Sequence, residues 1–552
     1  MRGAEVYFPP ETQIAIDGSE AMIGGPMRDF HLPGRSAVWA ENGICATSHP
    51  LPAQIAVRTL QEGGNAMDAA IAGAAAMGVC EPPMTGLGGD CFALVSPAGT
   101  DEIVGYNGSG RAPAGADPQA LRDRGLTAVP PEDPLAVTVP GAVEGFWRMH
   151  SLWGRRDWDA VLAPAIHHTE RGVPVAARVA WDYACKNHVL RSETALRHYQ
   201  PWGRAPRPGE VLSLPGQAEV LRRVARDGIS AFYEGEVAED IVEALTALGG
   251  PHTTADLAAH EGTRTDPVSG TYKGMELCEH PPNGQGATAI LLAHILQCFD
   301  IASMDPFGAE RAHIEAEATR LAYDTRNRFL SDPEHMTRLD HMLDPATGER
   351  LAALIDPRKA TATLTKLAEE VHRDTIYITV VDRDRMAVSL IYSIFRGFGS
   401  GIVTEKYGTL LQNRGSGFSL TPGHANELGA GKRPMHTIIP GMIRHDGRVL
   451  MPFGVMGGAY QATGHARFLS NITDFGMDPQ AAIDAPRSFA QADHLDVERG
   501  YAPEVRQALA DMGHRVTVPD EAIGGAQAIR IHDNGFLEAG SDPRKDGCAI
   551  GY

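Results

Sequence analysis

The chain has 552 residues, of which 43% are hydrophobic and 21% charged, and its formal net charge is −20. That length allows one large or several medium globular domains. The acidic balance argues against nucleic acid or an anionic membrane surface as the main partner, yet leaves room for a small anionic substrate in a local basic pocket. No stretch of about 18 apolar residues occurs, so no membrane span is predicted, and Met1 to Gln13 lacks the apolar core of a secretory signal. The seven cysteines are odd in number and form no CxxC pair, which fits a reduced, cytoplasmic setting.

Taken in order, residues 1–35 read as an irregular leader. Leu51 to Gln61 reads as a helix that Gly63-Gly64-Asn65 breaks, and a second, alanine-rich helix starts at Ala66. Its small side chains suit close packing in the core. Gly86-Leu87-Gly88-Gly89-Asp90 is a glycine turn feeding the strand Cys91 to Val95; it matches neither phosphate-binding glycine motif. Tyr106 to Pro113 is a second glycine-rich loop and offers Arg111. Val137 to Val143 reads as a strand and turn before a helix. Residues 160–260 alternate helices with Pro/Gly breaks, and Glu315 to Phe329 reads as an amphipathic helix.

The stretch that organises the rest is Thr375 to Val381, made of β-branched residues and one tyrosine, hence a buried strand. Asp382 to Arg385 is a turn, and Ala387 to Phe395 is the returning strand. A polar segment, Ala360 to Asp374, precedes this hairpin and is the kind of linker in which a chain break is tolerated. A further strand pair is expected at Ile438–Ile443 and Val449–Phe453, closed by Gly454 to Gly458. No repeat or low-complexity segment occurs.

GxSxG, HExxH, Walker A and CxxC are all missing from the sequence. His167-His168 and Cys278-Glu279-His280 have ligand types, but packed or solvated side chains explain them better than a metal. A hydrolase without those motifs needs another activated nucleophile. A threonine made N-terminal by cleavage supplies one, because its free α-amine, which ordinarily titrates at about 8, is a ready general base.

Ser48-His49-Pro50, Gly63-Gly64-Asn65-Ala66, Gly86-Leu87-Gly88-Gly89, Thr375 with Val380-Val381-Asp382, Phe398-Gly399-Ser400-Gly401, Lys432-Arg433-Pro434, Gly457-Gly458 and Asp542-Pro543-Arg544 occur in one order. Over residues 38–552 that set resembles the γ-glutamyltranspeptidase family of N-terminal-nucleophile hydrolases. The resemblance implies an α/β (α+β) fold, a four-layer αββα sandwich around two mostly antiparallel sheets. It implies a proenzyme cut before Thr375 into fragments 1–374 and 375–552, which stay intertwined as a heterodimer open to further assembly. It implies Thr375 as nucleophile, Ser393 as its hydroxyl partner, Gly457 and Gly458 as the oxyanion hole, and no cofactor or metal.

The departures from the family pattern concern the substrate. Phe395 stands where γ-glutamyl enzymes hold substrate with asparagine. Gly417 stands where they pair the substrate ammonium with an acid, Arg414 where they carry glutamine or glutamate, and His436-Thr437 where they carry two serines. Ser109 takes the position of the carboxylate-binding arginine, with Arg111 two residues on. Arg414, Arg111, His436, Thr437 and Phe395 are therefore the expected substrate-binding residues. The resemblance with these departures implies an amidohydrolase for a small, anionic acid amide lacking an α-amine, with oxamate the leading substrate. The alternatives are a γ-glutamyltransferase or glutathione hydrolase, a glutaryl (cephalosporin) acylase, and an unprocessed binding protein.

Overall fold

A computed structural model describes residues 31, 34–361 and 375–552. Most of the expected leader and the greater part of the expected linker, including Asp374, lie outside the described residues. The hairpin forms as its β-branched pattern requires: Ile376–Val381 and Ala387–Ser393 pair antiparallel, Ile376 opposite Tyr392 and Val381 opposite Ala387. They sit inside a seven-stranded sheet ordered Cys548–Gly551, Ile44–Thr47, Ile376–Val381, Ala387–Ser393, Asp90–Ser96, Val104–Gly108, Thr263–Thr265. A second seven-stranded sheet runs Val38–Ala40, Leu537–Ser541, Gly525–Ile531, Arg448–Met456, Gly441–His445, Met275–Glu279, Val268–Tyr272. Every named pairing in both sheets is antiparallel.

Alternation of side chains along the strands builds the layers. Tyr377, Ile391 and Phe92 of the first sheet meet Met456 of the second, and Val381, Ala387 and Leu94 meet Met442, Ile529 and Ala539. On the outer face of the first sheet, Ile376, Ile378 and Val380 pack with the helices Pro50–Gln61 and Ala66–Cys80. The second sheet is covered by Gly286–Leu296, Ala309–Phe329 and Gln461–Phe475. The architecture is thus helix, sheet, sheet, helix. Gly73 shows why the alanine-rich helix carries small residues, since a Cβ there would lie 2.6 Å from Ile378 Cδ1.

Four expected elements differ. The strand pair expected at Ile438–Ile443 and Val449–Phe453 runs Gly441–His445 and Arg448–Met456, so Gly454 to Met456 continue the second strand. Val137 to Val139 joins no sheet; Val139 N–H instead donates to Arg111 O at 3.0 Å, and a 3₁₀ turn Pro134–Ala136 precedes it. The helix ending at Phe329 begins at Ala309 and is buried on nearly all sides, because its charges form internal ion pairs such as Arg311 with Glu315. The returning strand stops at Ser393, since Phe395 has φ of 75° and cannot continue a ladder. Among the described residues no helix is long and apolar enough to cross a membrane.

Candidate active site

Thr375 immediately precedes the strand Ile376–Val381 and is 1% exposed. The hairpin register brings it to Ser393, and Thr375 Oγ1 donates to Ser393 Oγ at 3.4 Å. The separation is long for a hydroxyl pair, as catalytic hydrogen bonds often are before substrate tightens them. Ser393 Oγ also accepts Phe395 N–H at 2.9 Å. Phe395 itself is left-handed, with φ of 75°. Such a conformation costs a phenylalanine about 1–2 kcal/mol. Its ring lies under the Arg414 guanidinium, 4.1 Å from Arg414 Cζ to the ring centroid, a cation–π contact of similar size when desolvated.

Arg414 opens a short 3₁₀ turn, Arg414–Gly417, and is fully buried. Its Nη1 donates to Thr437 Oγ1 at 3.0 Å. Two further titratable side chains lie within its field. Asp90 Oδ2 lies 3.3 Å from His436 Nε2, and Asp90 Oδ1 accepts the N–H groups of Gly110 and Gly141 at 3.1 and 3.2 Å. Burial pushes the Asp90 carboxyl up to about 7, against the pull of Arg414, the two amides and Arg433. Burial, and then the charge of Arg414 and the neighbouring His280, hold His436 well below the usual histidine range, so it is neutral. Asp90 is also the cross-strand neighbour of Ser393. Thr375, Ser393 and the Arg414 cluster therefore lie at one end of these central strands.

Gly457 and Gly458 follow the strand Arg448–Met456 and open the helix Gln461–Phe475 through a 3₁₀ turn. Both have positive φ, 121° and 56°, a backbone conformation that favours glycine. A Cβ on Gly457 would lie 2.9 Å from Gly524 Cα. Gln285 holds this turn: its Nε2 donates to Gly458 O at 3.2 Å and to Thr437 O at 2.7 Å. Gln285 Oε1 in turn accepts Arg326 Nη1 at 2.9 Å. One buried amide thus ties the glycine pair to the threonine beside Arg414.

Thr375, Ser393, Phe395, Arg414, Thr437 and His436 form a continuous chain of contacts. Arg111 is engaged elsewhere. Its side chain is 37% exposed and lies 3.5 Å from both Asp332 and Glu334, with Nη1 on Gly431 O at 2.8 Å. The buried cation behind Ser109 is Arg433, whose Nε donates to Ser109 O at 3.0 Å. At Gly417 a Cβ would meet only Met435 O, at 3.2 Å, so the position has space but no carboxylate. Sequence reasoning does not single out Asp90, Gln285 or Arg433 for the site. A lone acid at the head of the apolar strand Asp90–Ser96 is the one available signal. The two ligand-type groups are structural: Cys278 lies in the inter-sheet core, Glu279 Oε1 lies 2.6 Å from His465 Nδ1, His280 stacks on Phe92 at 4.1 Å, and His167 and His168 pack edge to face.

The family model for gamma-glutamyltranspeptidase matches residues 52–552. The glutathione hydrolase-like YwrD proenzyme of Bacillus subtilis is 36% identical over 523 residues, covering 92% of this chain and 98% of that protein. The oxamate amidohydrolase proenzyme of Klebsiella pneumoniae is 36% identical over 531 residues, covering 93% and 98%. The crystal structure of cephalosporin acylase from Bacillus halodurans superposes with a TM-score of 0.88 at 36% identity, covering 96% of this chain and 99% of that one.

Proposed function

The chain belongs to the gamma-glutamyltranspeptidase family of amidohydrolases, and we propose that within it the protein is a self-processing enzyme for amides of small carboxylic acids that lack an α-amine. Thr375 Oγ adds to the carbonyl of residue 374, the peptide nitrogen leaves, and water hydrolyses the resulting ester. The products are a carboxylate at residue 374 and a free amine on Thr375. That amine then takes the Thr375 hydroxyl proton as the oxygen attacks the substrate amide. The N–H groups of Gly457 and Gly458 stabilise the tetrahedral oxyanion, a contribution of a few kcal/mol per donor. The amine or ammonia leaves with the proton, and water releases the acid from the threonine ester.

The observation that carries the specificity is the fully buried Arg414, with Thr437 at 3.0 Å. A guanidinium there suits a carboxylate through charge-assisted bonds, whereas a substrate ammonium would meet that positive charge and no acid at Gly417. Oxamate is the leading substrate because it presents one carboxylate next to one amide. The name of the Klebsiella relative supports that choice.

A second reading, γ-glutamyl hydrolysis, is favoured by the presence of one buried acid, Asp90. Its oxygens are already committed to Gly110, Gly141 and His436, which leaves it a poor partner for a substrate amine. Initial rates with oxamate, a glutaryl amide and a γ-glutamyl amide, measured side by side, decide between the two. The acid amides are expected to be hydrolysed faster, and a γ-glutamyl amide as best substrate overturns the reading.

A further inference from the structure

His313 and Glu317 sit one helical turn apart on the buried helix Ala309–Phe329, so both project from one face. His514, in the turn after the helix Pro503–Asp511, meets them. One ligand atom from each of the three lies within 4.8 Å of the others, and all three residues are buried. Nothing in the amide hydrolysis described above uses them.

The cluster has the second layer of hydrogen bonds that orients metal ligands. His313 presents Nδ1 to His514 Nε2 at 2.7 Å, while its Nε2–H donates to Asp356 O at 2.8 Å. Glu317 Oε2 accepts Thr361 N–H at 3.1 Å and Oε1 accepts Arg320 Nη1 at 2.5 Å. Each carboxylate oxygen keeps a lone pair. Two hydrogen-bonded neutral rings would also satisfy this geometry, and Arg320 opposes a second cation. Zinc titration of wild type and histidine variants separates the two arrangements.

We propose that His313 Nδ1, His514 Nε2 and the Glu317 carboxylate form a structural site for one divalent transition-metal ion, of which zinc fits the two-nitrogen, one-oxygen set best. Binding requires the rings to part by about half an ångström, from 2.7 Å toward the spacing of about 3.3 Å between ligands of a tetrahedral ion. The ion would clamp the strap Asp356 to Thr361, which also pairs through Ala360 N–H on Met512 O at 2.8 Å. In the proposed processed enzyme, His313 and Glu317 belong to the larger fragment and His514 to the smaller, so the ion would bridge the two. The bridging rests on the proposed cleavage; the site itself does not.

The test uses the full-length purified protein, stripped with a chelator, dialysed and titrated with zinc sulfate. One equivalent is expected by calorimetry and by elemental analysis, with a rise in Tm. His514→Gln and His313→Gln should each weaken zinc at least 100-fold. Thr375→Ala should bind the same single equivalent, which separates failure of the site from failure of processing. Cobalt(II) in place of zinc should give wild type the intense visible absorption of a four-coordinate ion, a readout that needs no variant. Absence of binding, or a zinc equivalent and cobalt spectrum unchanged in both histidine variants, overturns the proposal.

Discussion

Arg414 is a fully buried cation, and its neighbours set how strongly the proposed substrate carboxylate would feel it. Arg414→Ala should lower kcat/KM for acid amides by a factor of about 10², since a charge-assisted bond is worth roughly 1.5–3 kcal/mol. Cleavage at Thr375 should persist. Steady-state rates together with intact mass check both halves. Asp90 is the group that tunes this charge. Its carboxyl is raised to about 7 by burial. Below that pH it is neutral and Arg414 acts undiminished; above it, the carboxylate offsets the guanidinium. KM for an anionic amide should therefore rise about three- to tenfold as pH passes through 7. The proposed Thr375 amine, which as a free α-amine ordinarily titrates at about 8, makes kcat rise over a higher range. Asp90→Asn should flatten the KM limb and leave the kcat limb, which a pH series of initial rates shows directly. The same raised value gives a stability sign. The folded chain holds this proton from its ordinary carboxylate range up to about 7, so Asp90 makes the fold lose stability as pH rises through that window. Arg414 and Phe395, which stack on each other, are both legible from sequence as departures from the family pattern. Asp90 is not, because its meaning depends on His436 and Arg414, which are remote in the chain.

Hairpins are local, and the central one is fixed by the turn at its tip. Asp382 Oδ2 accepts Ala66 N–H at 2.8 Å, and Oδ1 accepts Asp384 and Met386 N–H at 2.9 and 3.0 Å. One carboxylate thus closes the turn and anchors the first residue of the helix Ala66–Cys80, which Asn65 and Asp68 also cap as a capping box. Asp382→Ala removes all three bonds and should destabilise the protein by about 3 kcal/mol, read as a lower urea midpoint with the site chemistry intact in the folded fraction. Gly457→Ala acts on the chemistry instead. Its φ of 121° and the 2.9 Å approach of a Cβ to Gly524 Cα force the backbone amides to move. A loss of about 10² to 10³ in kcat is expected, with a smaller change in KM, and kinetics on soluble, folded protein test that split. The hairpin, the two N-terminal helices and the glycine pair are readable because period, caps and glycines are local signals. The left-handed Phe395 is not, since nothing in the composition of a strand end announces a positive φ for an aromatic residue. The helix ending at Phe329 misleads for the opposite reason. Its charges look solvent-facing in sequence, but Arg467 and Glu315 pair across to a neighbouring helix inside the protein.

At the scale of the whole molecule, the proposed break before Thr375 does not divide the fold along a seam. In the sheet holding Thr375, the strands Ile44–Thr47, Asp90–Ser96, Val104–Gly108 and Thr263–Thr265 come from the larger fragment, and Ile376–Val381, Ala387–Ser393 and Cys548–Gly551 from the smaller. The order mixes them: Ile376–Val381 lies between a strand of each fragment, and the C-terminal strand Cys548–Gly551 sits at the edge, paired with Ile44–Thr47. The opposite sheet mixes the fragments in the same way, with Val38–Ala40 on Leu537–Ser541 and Met275–Glu279 on Gly441–His445. The layered architecture can be inferred from the ordered motifs, but this interleaving requires the pairing partners, which are non-local. Separation of the fragments would expose both inter-sheet clusters and unpair backbone groups along strand boundaries in the two sheets, a cost far above the roughly 5–15 kcal/mol that holds a typical domain together. Processed protein should therefore elute from gel filtration as one species at the volume of the uncut Thr375→Ala chain. A denaturing gel should resolve two bands for the wild type and one for the variant. Intact mass should give a smaller fragment that starts at Thr375. Release of the small fragment in native buffer would refute the interleaved heterodimer, and a variant still cut at that bond would refute self-cleavage by Thr375.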